Sequence, residues 1–112
     1  MQKHDLIRVR HMIDAAGEAL SFARGKSRED FHKDRMLLLS LIKEIEIIGE
    51  ASSKITDEFR QNHPEVPWTH IVAMRNRLIH AYFDIDADRV WDTINSDLPS
   101  LLNQLKKIVA QK

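Results

Sequence analysis

The sequence predicts an all-α protein, an antiparallel bundle of four to five helices that forms one domain over residues 1–112. Three glycines and three prolines leave few places for the turns that a many-stranded fold needs. Apolar residues recur every three or four positions through most of the chain, which is the period of helices with one buried face. An apolar fraction of 43% and a charged fraction of 30% are ordinary for a globular domain.

The first predicted helix carries one apolar stripe and ends at a glycine. Gly25 closely follows the last stripe residue, as glycine commonly does at a helix C-terminus. Ser27 and Asp30 have the spacing of a capping box, which predicts the start of the second helix. The stripe of the first helix consists of Leu6, Val9, Ile13, Ala16, Leu20 and Ala23.

The second predicted helix, which carries apolar residues from Phe31 to Phe59, is apolar around much of its circumference. Its additional apolar residues must be covered either by neighbouring helices of the same chain or by a second chain, and periodicity alone favours neither. The core-facing residues are Phe31, Leu38, Leu41, Ile45, Ile48, Ile55 and Phe59. The residues that widen this face are Met36, Leu37, Leu39, Ile42 and Ile47.

A proline-containing break separates the second helix from the third. Pro67 suits the first turn of a helix from Trp68 to about Ile79, where a missing N–H costs no hydrogen bond. Asp84 or Asp86 is predicted to cap the fourth helix, which Pro99 should kink or divide. The inward residues are Ile71, Met74 and Leu78 in the third helix and Val90, Ile94, Leu98, Leu101, Leu105 and Ile108 in the fourth.

Three residues of the second helix, two acidic and one glycine, interrupt its apolar surface. Glu46 and Glu50 lie on one face, where we expect them to form salt bridges with Arg or Lys rather than to act in catalysis. Gly49 lies between them and allows close approach of another element.

Composition also indicates which cofactors and which cellular compartment to expect. The chain has no cysteine, which excludes disulfides and thiolate metal sites, and it has no H-E-x-x-H motif or comparable ligand set. We therefore expect neither a metal nor another cofactor. The longest apolar run, residues 36–42, is too short for a membrane span, and the charged N-terminus does not resemble a signal peptide. A cytoplasmic protein without membrane contact is expected.

The distribution of charge argues for local recognition. Seventeen basic and seventeen acidic residues give a formal net charge of zero, which counts against nucleic-acid binding by bulk electrostatics. Residues 75–82 nevertheless carry two arginines and no acid, whereas residues 84–97 carry five aspartates against Arg89. A basic spot beside an acidic surface suits either a short RNA segment or a partner of opposite polarity.

The basic spot is the run R-N-R-L-I-H-A-Y, which contains Arg75, His80 and Tyr82. Arginine binds phosphate, histidine can act as a general acid or base near neutral pH, and the tyrosine hydroxyl can be modified covalently. Metal-free RNA cleavage and its covalent control need these side-chain types. On an ideal helix, Arg75 and His80 would project about 140° apart. A joint site therefore requires that His80 lie beyond the helix end or that two chains assemble it.

The same residues have structural interpretations. Arg75 and Asn76 suit the exposed end of a helix, and His80 suits interaction with the last carbonyls and the helix dipole. Tyr82 suits an amphipathic ring that packs where the chain leaves the third helix.

The run resembles the R-x4-H-x-Y signature of the HepT branch of the HEPN superfamily, also called DUF86. Four further segments are similar to that family, in the same order and over most of the chain. They are I-I-G-E-A at 47–51, H-P-E-V-P-W at 63–68, D-I-D-A-D-R-V-W-D at 84–92, and D-L-P from Asp97. The resemblance implies a HEPN-like helical bundle that forms a two-fold homodimer.

The resemblance also implies a function and a partner. It implies a metal-independent ribonuclease toxin of a type VII HEPN/MNT toxin–antitoxin system, with RNA as substrate and tRNA as one candidate. Arg75 and His80 of both protomers would be catalytic, and Asn76 and Arg77 would support them. The partner would be a minimal nucleotidyltransferase (MNT) antitoxin that transfers AMP from ATP to Tyr82. Two alternatives stay open: a non-catalytic HEPN module that binds RNA, a nucleotide or a protein partner, and an oligomeric helical scaffold.

Overall fold

The structure is a computed structural model that describes residues 2–81 and 84–111, with the backbone alone described at residues 2 and 79–81. This part of the chain is a helical bundle, which confirms the all-α class, with one short two-stranded ribbon added. In chain order the elements are α1 (Gln2–Ala23), α2 (Arg28–Lys33), α3 (Arg35–Ser53), α4 (Asp57–Asn62), α5 (Trp68–Leu78), β1 (Ile79–Ala81), β2 (Asp84–Ile85), α6 (Ala87–Asp92), a π-helical turn (Thr93–Asp97) and α7 (Leu98–Ala110). No helix within the described ranges is long and apolar enough to cross a membrane.

An antiparallel pair of helices, α1 and α3, forms the centre of the bundle. The buried Asp5 carboxylate accepts hydrogen bonds from the Thr56 amide at 2.9 Å and from the Thr56 hydroxyl at 2.7 Å. Because Thr56 closely follows the C-terminal end of α3, this bond places the beginning of α1 beside the end of α3. Helix α7 packs against α1 and helix α5 against α3.

The apolar stripes predicted from sequence form the core. All seven core-facing residues of the second predicted helix are buried, as are the inward residues of the third and fourth. In α1, Val9 and Ala16 are buried, and the other stripe residues pack partly buried against the core. Of the residues that widen the second helix, Leu37 and Ile42 are buried. Met36, Leu39 and Ile47 remain 82%, 43% and 37% exposed.

The prediction of one continuous helix from the Ser27–Asp30 capping box through Phe59 is wrong, because α2, α3 and α4 occupy that range. Asp34 has an extended conformation, and its carboxylate accepts a hydrogen bond from the Leu37 amide at 3.1 Å, which caps a new helix. Thr56 caps α4 in the same way. Side chains that bond to nearby backbone amides compete with helix continuation. The apolar period did not reveal these breaks because all three helices pack against one core.

The segment after α5 differs most from prediction, because the helix ends at Leu78 and a ribbon follows. Strand β1 pairs antiparallel with β2, and the Asp86 amide donates a hydrogen bond to the Leu78 carbonyl at 3.0 Å. The Asp86 carboxylate caps α6, as predicted. At the other end of α5, Pro67 precedes the helix by one residue and its carbonyl accepts from the Ile71 amide.

The fourth predicted helix is divided near its proline, as expected. A π-helical turn separates α6 from α7, and Pro99 lies in the first turn of α7. The Leu98 amide bonds to the Thr93 carbonyl, five residues back, instead of four. Proline lacks the N–H that would continue the regular ladder, which is a sufficient reason for the change.

An ion-pair cluster joins α2 to α6. The Arg28 guanidinium lies 3.6 Å from Asp88 and 3.3 Å from Asp92, and His32 lies 2.8 Å from Asp88. The Ser27–Asp30 capping box predicted for α2 is present. These side chains are about half exposed, so the pairs contribute little stability but neutralise part of the aspartate-rich surface.

Candidate functional site

A groove of about 460 Å³ runs along the surface formed by α1, α3 and α5. Its volume falls within the roughly 300–1,000 Å³ of clefts that hold ligands. Arg75, the first residue of the motif, lines this groove. The other lining residues are Arg8 and His11 from α1, Lys43, Glu46, Ile47, Glu50 and Ala51 from α3, and Lys54, which follows α3 directly.

Gly49 determines how the Arg75 side chain lies against α3. A Cβ atom added to Gly49 would lie 3.2 Å from Cδ and 3.8 Å from Cβ of Arg75. The aliphatic part of Arg75 therefore packs on the bare backbone of α3 at this position. The close approach predicted for Gly49 is confirmed, and the group that approaches it is the side chain of Arg75, a catalytic candidate.

The four cations of the groove have no ion-pair partner among the described residues. No described carboxylate lies within 4.0 Å of Arg8, Lys43, Lys54 or Arg75, although Arg28, Lys33 and Arg89 elsewhere all form such pairs. The salt bridges expected of Glu46 and Glu50 are likewise absent from the described part, so that expectation is wrong. Long side chains at a wet surface gain little from pairing, which explains the result.

The second catalytic candidate, His80, lies beyond the end of α5. Its backbone belongs to β1, so the helical projection that separated it from Arg75 does not apply. The side chain of His80 and the whole of Tyr82 lie outside the described residues.

The two supporting candidates occupy different places. Asn76 is exposed on α5 next to Arg75. Arg77 is exposed too, but its Nη2 atom lies 3.3 Å from Nε2 of His70, away from the groove. Arg77 also lines a small crevice of about 80 Å³ together with Leu78, Arg89, Thr93 and Asp97. The structure thus does not bring Arg77 together with Arg75.

Sequence reasoning missed the residues that extend the groove away from Arg75. A signal existed, because Lys43, Ile47, Glu50 and Lys54 follow a spacing of four, three and four, which is one helical face. Arg8 and His11 are three apart on α1. Polar faces of this kind are usually only solvated, so the pattern alone did not indicate a site.

An acidic crevice of about 260 Å³ adjoins the groove along α1 and α3. His11 and Ile47 line both cavities, and the crevice adds Asp14, Ala15, Glu18 and Glu44. Burial raises the pKa of the Glu44 carboxyl to about 7, and the hydrogen bond and negative charge of Glu18 act in the same direction. The surface between α1 and α3 therefore changes from cationic to acidic near His11. No cluster of three or more metal-ligating side chains occurs in residues 2–81 and 84–111 as described.

Replacing Glu44 with glutamine should make the protein more stable at alkaline pH. The Glu44 carboxyl has a pKa of about 7 in the fold against 4.5 in the reference state, so its contribution is fully present below pH 4.5 and is lost as the pH rises through 7. The loss is about 3 kcal/mol at most. Urea denaturation at pH 5 and pH 8 should show a smaller decrease for Glu44→Gln than for the unaltered chain. Glu58→Gln, an exposed control on α4, should show the same decrease in the free energy of unfolding as the unaltered chain. Equal decreases for Glu44→Gln, Glu58→Gln and the unaltered chain would contradict the prediction.

Comparison with known proteins identifies relatives over most of the chain. A family model described as Ribonuclease HepT-like matches residues 12–108. A Thermococcus cleftensis protein named Probable ribonuclease HepT is 42% identical over 87 residues, which cover 78% of this chain and 79% of the relative. Putative RNase TTE0752 of Caldanaerobacter subterraneus subsp. tengcongensis is 37% identical over 102 residues, 91% of each chain. Putative RNase MJ1380 of Methanocaldococcus jannaschii is 34% identical over 95 residues, 85% and 87% of the two chains. No solved structure matches significantly.

Proposed function

Because the chain belongs to the HepT-like ribonuclease family, we propose that it is a metal-independent endoribonuclease and the toxin of a type VII toxin–antitoxin system. One observation supports this most directly: Arg75 lies in a cationic groove without an ion-pair partner among the described residues. The backbone of His80 follows five residues later, just past the helix end. The substrate is RNA in the cytoplasm, with tRNA as a candidate.

The proposed reaction uses the 2′-hydroxyl of the RNA strand as the nucleophile. A base removes the 2′-hydroxyl proton while O2′ attacks the adjacent phosphorus, and an acid gives a proton to the departing 5′-oxygen. The products are a 2′,3′-cyclic phosphate and a free 5′-hydroxyl. Arg75 stabilises the negative charge of the phosphorane through its guanidinium, as a fixed cation that needs no reorganisation.

The proposal includes a homodimer with a composite site. One imidazole cannot easily serve as base and acid in the same step, whereas His80 from each of two chains can divide these roles. The exposed apolar residues Met36 and Leu39 lie on α3, about two to three helical turns before the groove residue Ile47. A dimer that covers this face would bury apolar surface next to the proposed site.

Control by the MNT antitoxin is proposed to act at Tyr82. The Tyr82 hydroxyl attacks the α-phosphorus of ATP, pyrophosphate leaves, and the phenolic proton passes to solvent. Each AMP adds bulk and negative charge two residues after His80 in the sequence, and we expect it to block RNA and repel the RNA backbone. Tyr82→Phe should remain active after incubation with the antitoxin and ATP, while the unaltered chain loses activity and gains AMP in its intact mass. Equal silencing of both proteins would reject Tyr82 as the acceptor.

The test of the ribonuclease itself is cleavage of several RNA classes by the purified chain in EDTA. Intact mass should first confirm that Tyr82 carries no AMP, since a modified sample would be silent. Cleavage in EDTA, with cyclic phosphate ends on the products, would support the proposal. Binding of RNA without scission at any protein concentration would instead favour the non-catalytic HEPN module.

A further inference from the structure

The cationic groove extends from Arg75 onto α1, well away from the sequence motif. The Asp5–Thr56 hydrogen bonds fix the start of α1 against the end of α3. Arg8 lies three residues after Asp5 and Lys54 lies two residues before Thr56, so both border the same end of the groove. Neither has a carboxylate partner within 4.0 Å among the described residues. The groove lining holds four cations against the two carboxylates of Glu46 and Glu50, so an excess of positive charge is available to an anionic ligand.

Apolar and aromatic surface lies between these cations. The groove wall includes Ile47, which is 37% exposed, the small residue Ala51, and the imidazole ring of His11. Grooves that bind single-stranded nucleic acid combine cations that follow the phosphates with flat or apolar side chains that receive the bases. Unstacked bases pack on histidine as well as on larger aromatic rings. A free phosphate or a purely acidic peptide would not use this surface.

The adjoining acidic crevice limits where the strand can lie. Asp14 and Glu18 are exposed on α1, beyond His11 as seen from Arg8. Carboxylates there repel phosphate, so a bound strand must leave the α1–α3 surface near His11. The cationic part of the groove therefore accommodates a short strand segment only.

We infer that this groove binds the single-stranded RNA segment next to the cleaved bond, with Arg8, Lys43 and Lys54 on phosphates and the His11–Ile47 surface under a base. The inference rests on the proposed function, since it treats Arg75 as the point of cleavage. Arg8 and His11 lie on α1, outside residues 12–108, which match the family model.

The test is binding of a fluorescent single-stranded RNA in which every 2′-hydroxyl is methylated. This probe lacks the attacking hydroxyl, so anisotropy measures binding without cleavage. Arg8→Ala and Lys54→Ala should each weaken binding about three- to tenfold. Each should also reduce the slope of log affinity against log salt by about 0.7, the value for one phosphate contact on a single strand. His11→Ala should weaken binding with the slope unchanged.

Two control variants each remove one positive charge from a position outside the groove. Arg10 lies two residues after Arg8, about 200° around the same helix. Lys106 is exposed on α7. Arg10→Ala and Lys106→Ala should bind RNA as the unaltered chain does.

Equal slopes for the groove variants and these controls would overturn the inference, and so would an absence of RNA binding by the unaltered chain. If the groove variants lose the dimer in light scattering but bind RNA as the unaltered chain does, the groove is a contact between chains, and the inference is also overturned. Groove-dependent binding by a chain that cleaves no RNA would uphold the inference and reject the ribonuclease proposal. Failure of the groove inference and failure of the ribonuclease proposal are therefore distinguishable.

Discussion

Replacing His80 with alanine is expected to lower RNA cleavage in EDTA by about 10²–10⁴-fold, the contribution of a positioned general acid or base. In the proposed dimer the substitution removes both imidazoles, and with them the base for the 2′-hydroxyl and the acid for the 5′-oxygen. The rate of cleavage should be measured under single-turnover conditions, so that RNA binding does not affect the comparison. The RNA affinity of His80→Ala should stay close to that of the unaltered chain.

His32→Ala is the matched control, because His32 pairs with Asp88 on the α2–α6 surface and does not line the groove. Its cleavage rate should not change. The unaltered chain should also show a bell-shaped dependence of rate on pH, since one imidazole must be neutral and the other protonated. Full activity of His80→Ala would reject the proposed mechanism, whatever the cleavage rate of His32→Ala.

The core was predictable because the buried face of each helix requires apolar residues every three or four positions in the sequence. Every predicted inward residue of α7, from Leu98 to Ile108, is buried. The breaks at Asp34 and Thr56 were not predicted, because each depends on a side chain that caps the next helix while the apolar period continues. The ribbon after Leu78 was missed too, since strands of two and three residues are too short to show an alternating pattern.

The site was predictable only in its local part. Arg75 and His80 belong to one short motif, so sequence alone could single them out. The rest of the groove is assembled by packing of α1 and α5 against α3, which brings Arg8 and Lys54 into one cavity with Arg75. Their charges look like those of ordinary solvated residues until the packing of the helices places them in one cavity.

Replacing Gly49 with alanine should reduce cleavage about tenfold, because the close contact shifts the catalytic Arg75 by a few tenths of an ångström and a shift of about 1 Å would cost about 100-fold. The added methyl group would lie 3.2 Å from Cδ of Arg75, so the arginine side chain must move away from α3. A flexible side chain can move at little cost in free energy, and alanine favours helix over glycine by up to about 1 kcal/mol. Thermal denaturation should therefore show a fold that is at least nearly as stable as the original.

Gly17→Ala separates this effect from a general one, because nothing lies within 4 Å of the added Cβ on α1. It should raise stability and leave cleavage unchanged. In the Arg75→Ala background, Gly49→Ala should cause no further loss, since the group that it displaces is already gone. Additive losses in the double variant would mean that Gly49 acts through something other than Arg75. Full activity of Gly49→Ala alone would mean that catalysis does not depend on the packing of Arg75 against α3.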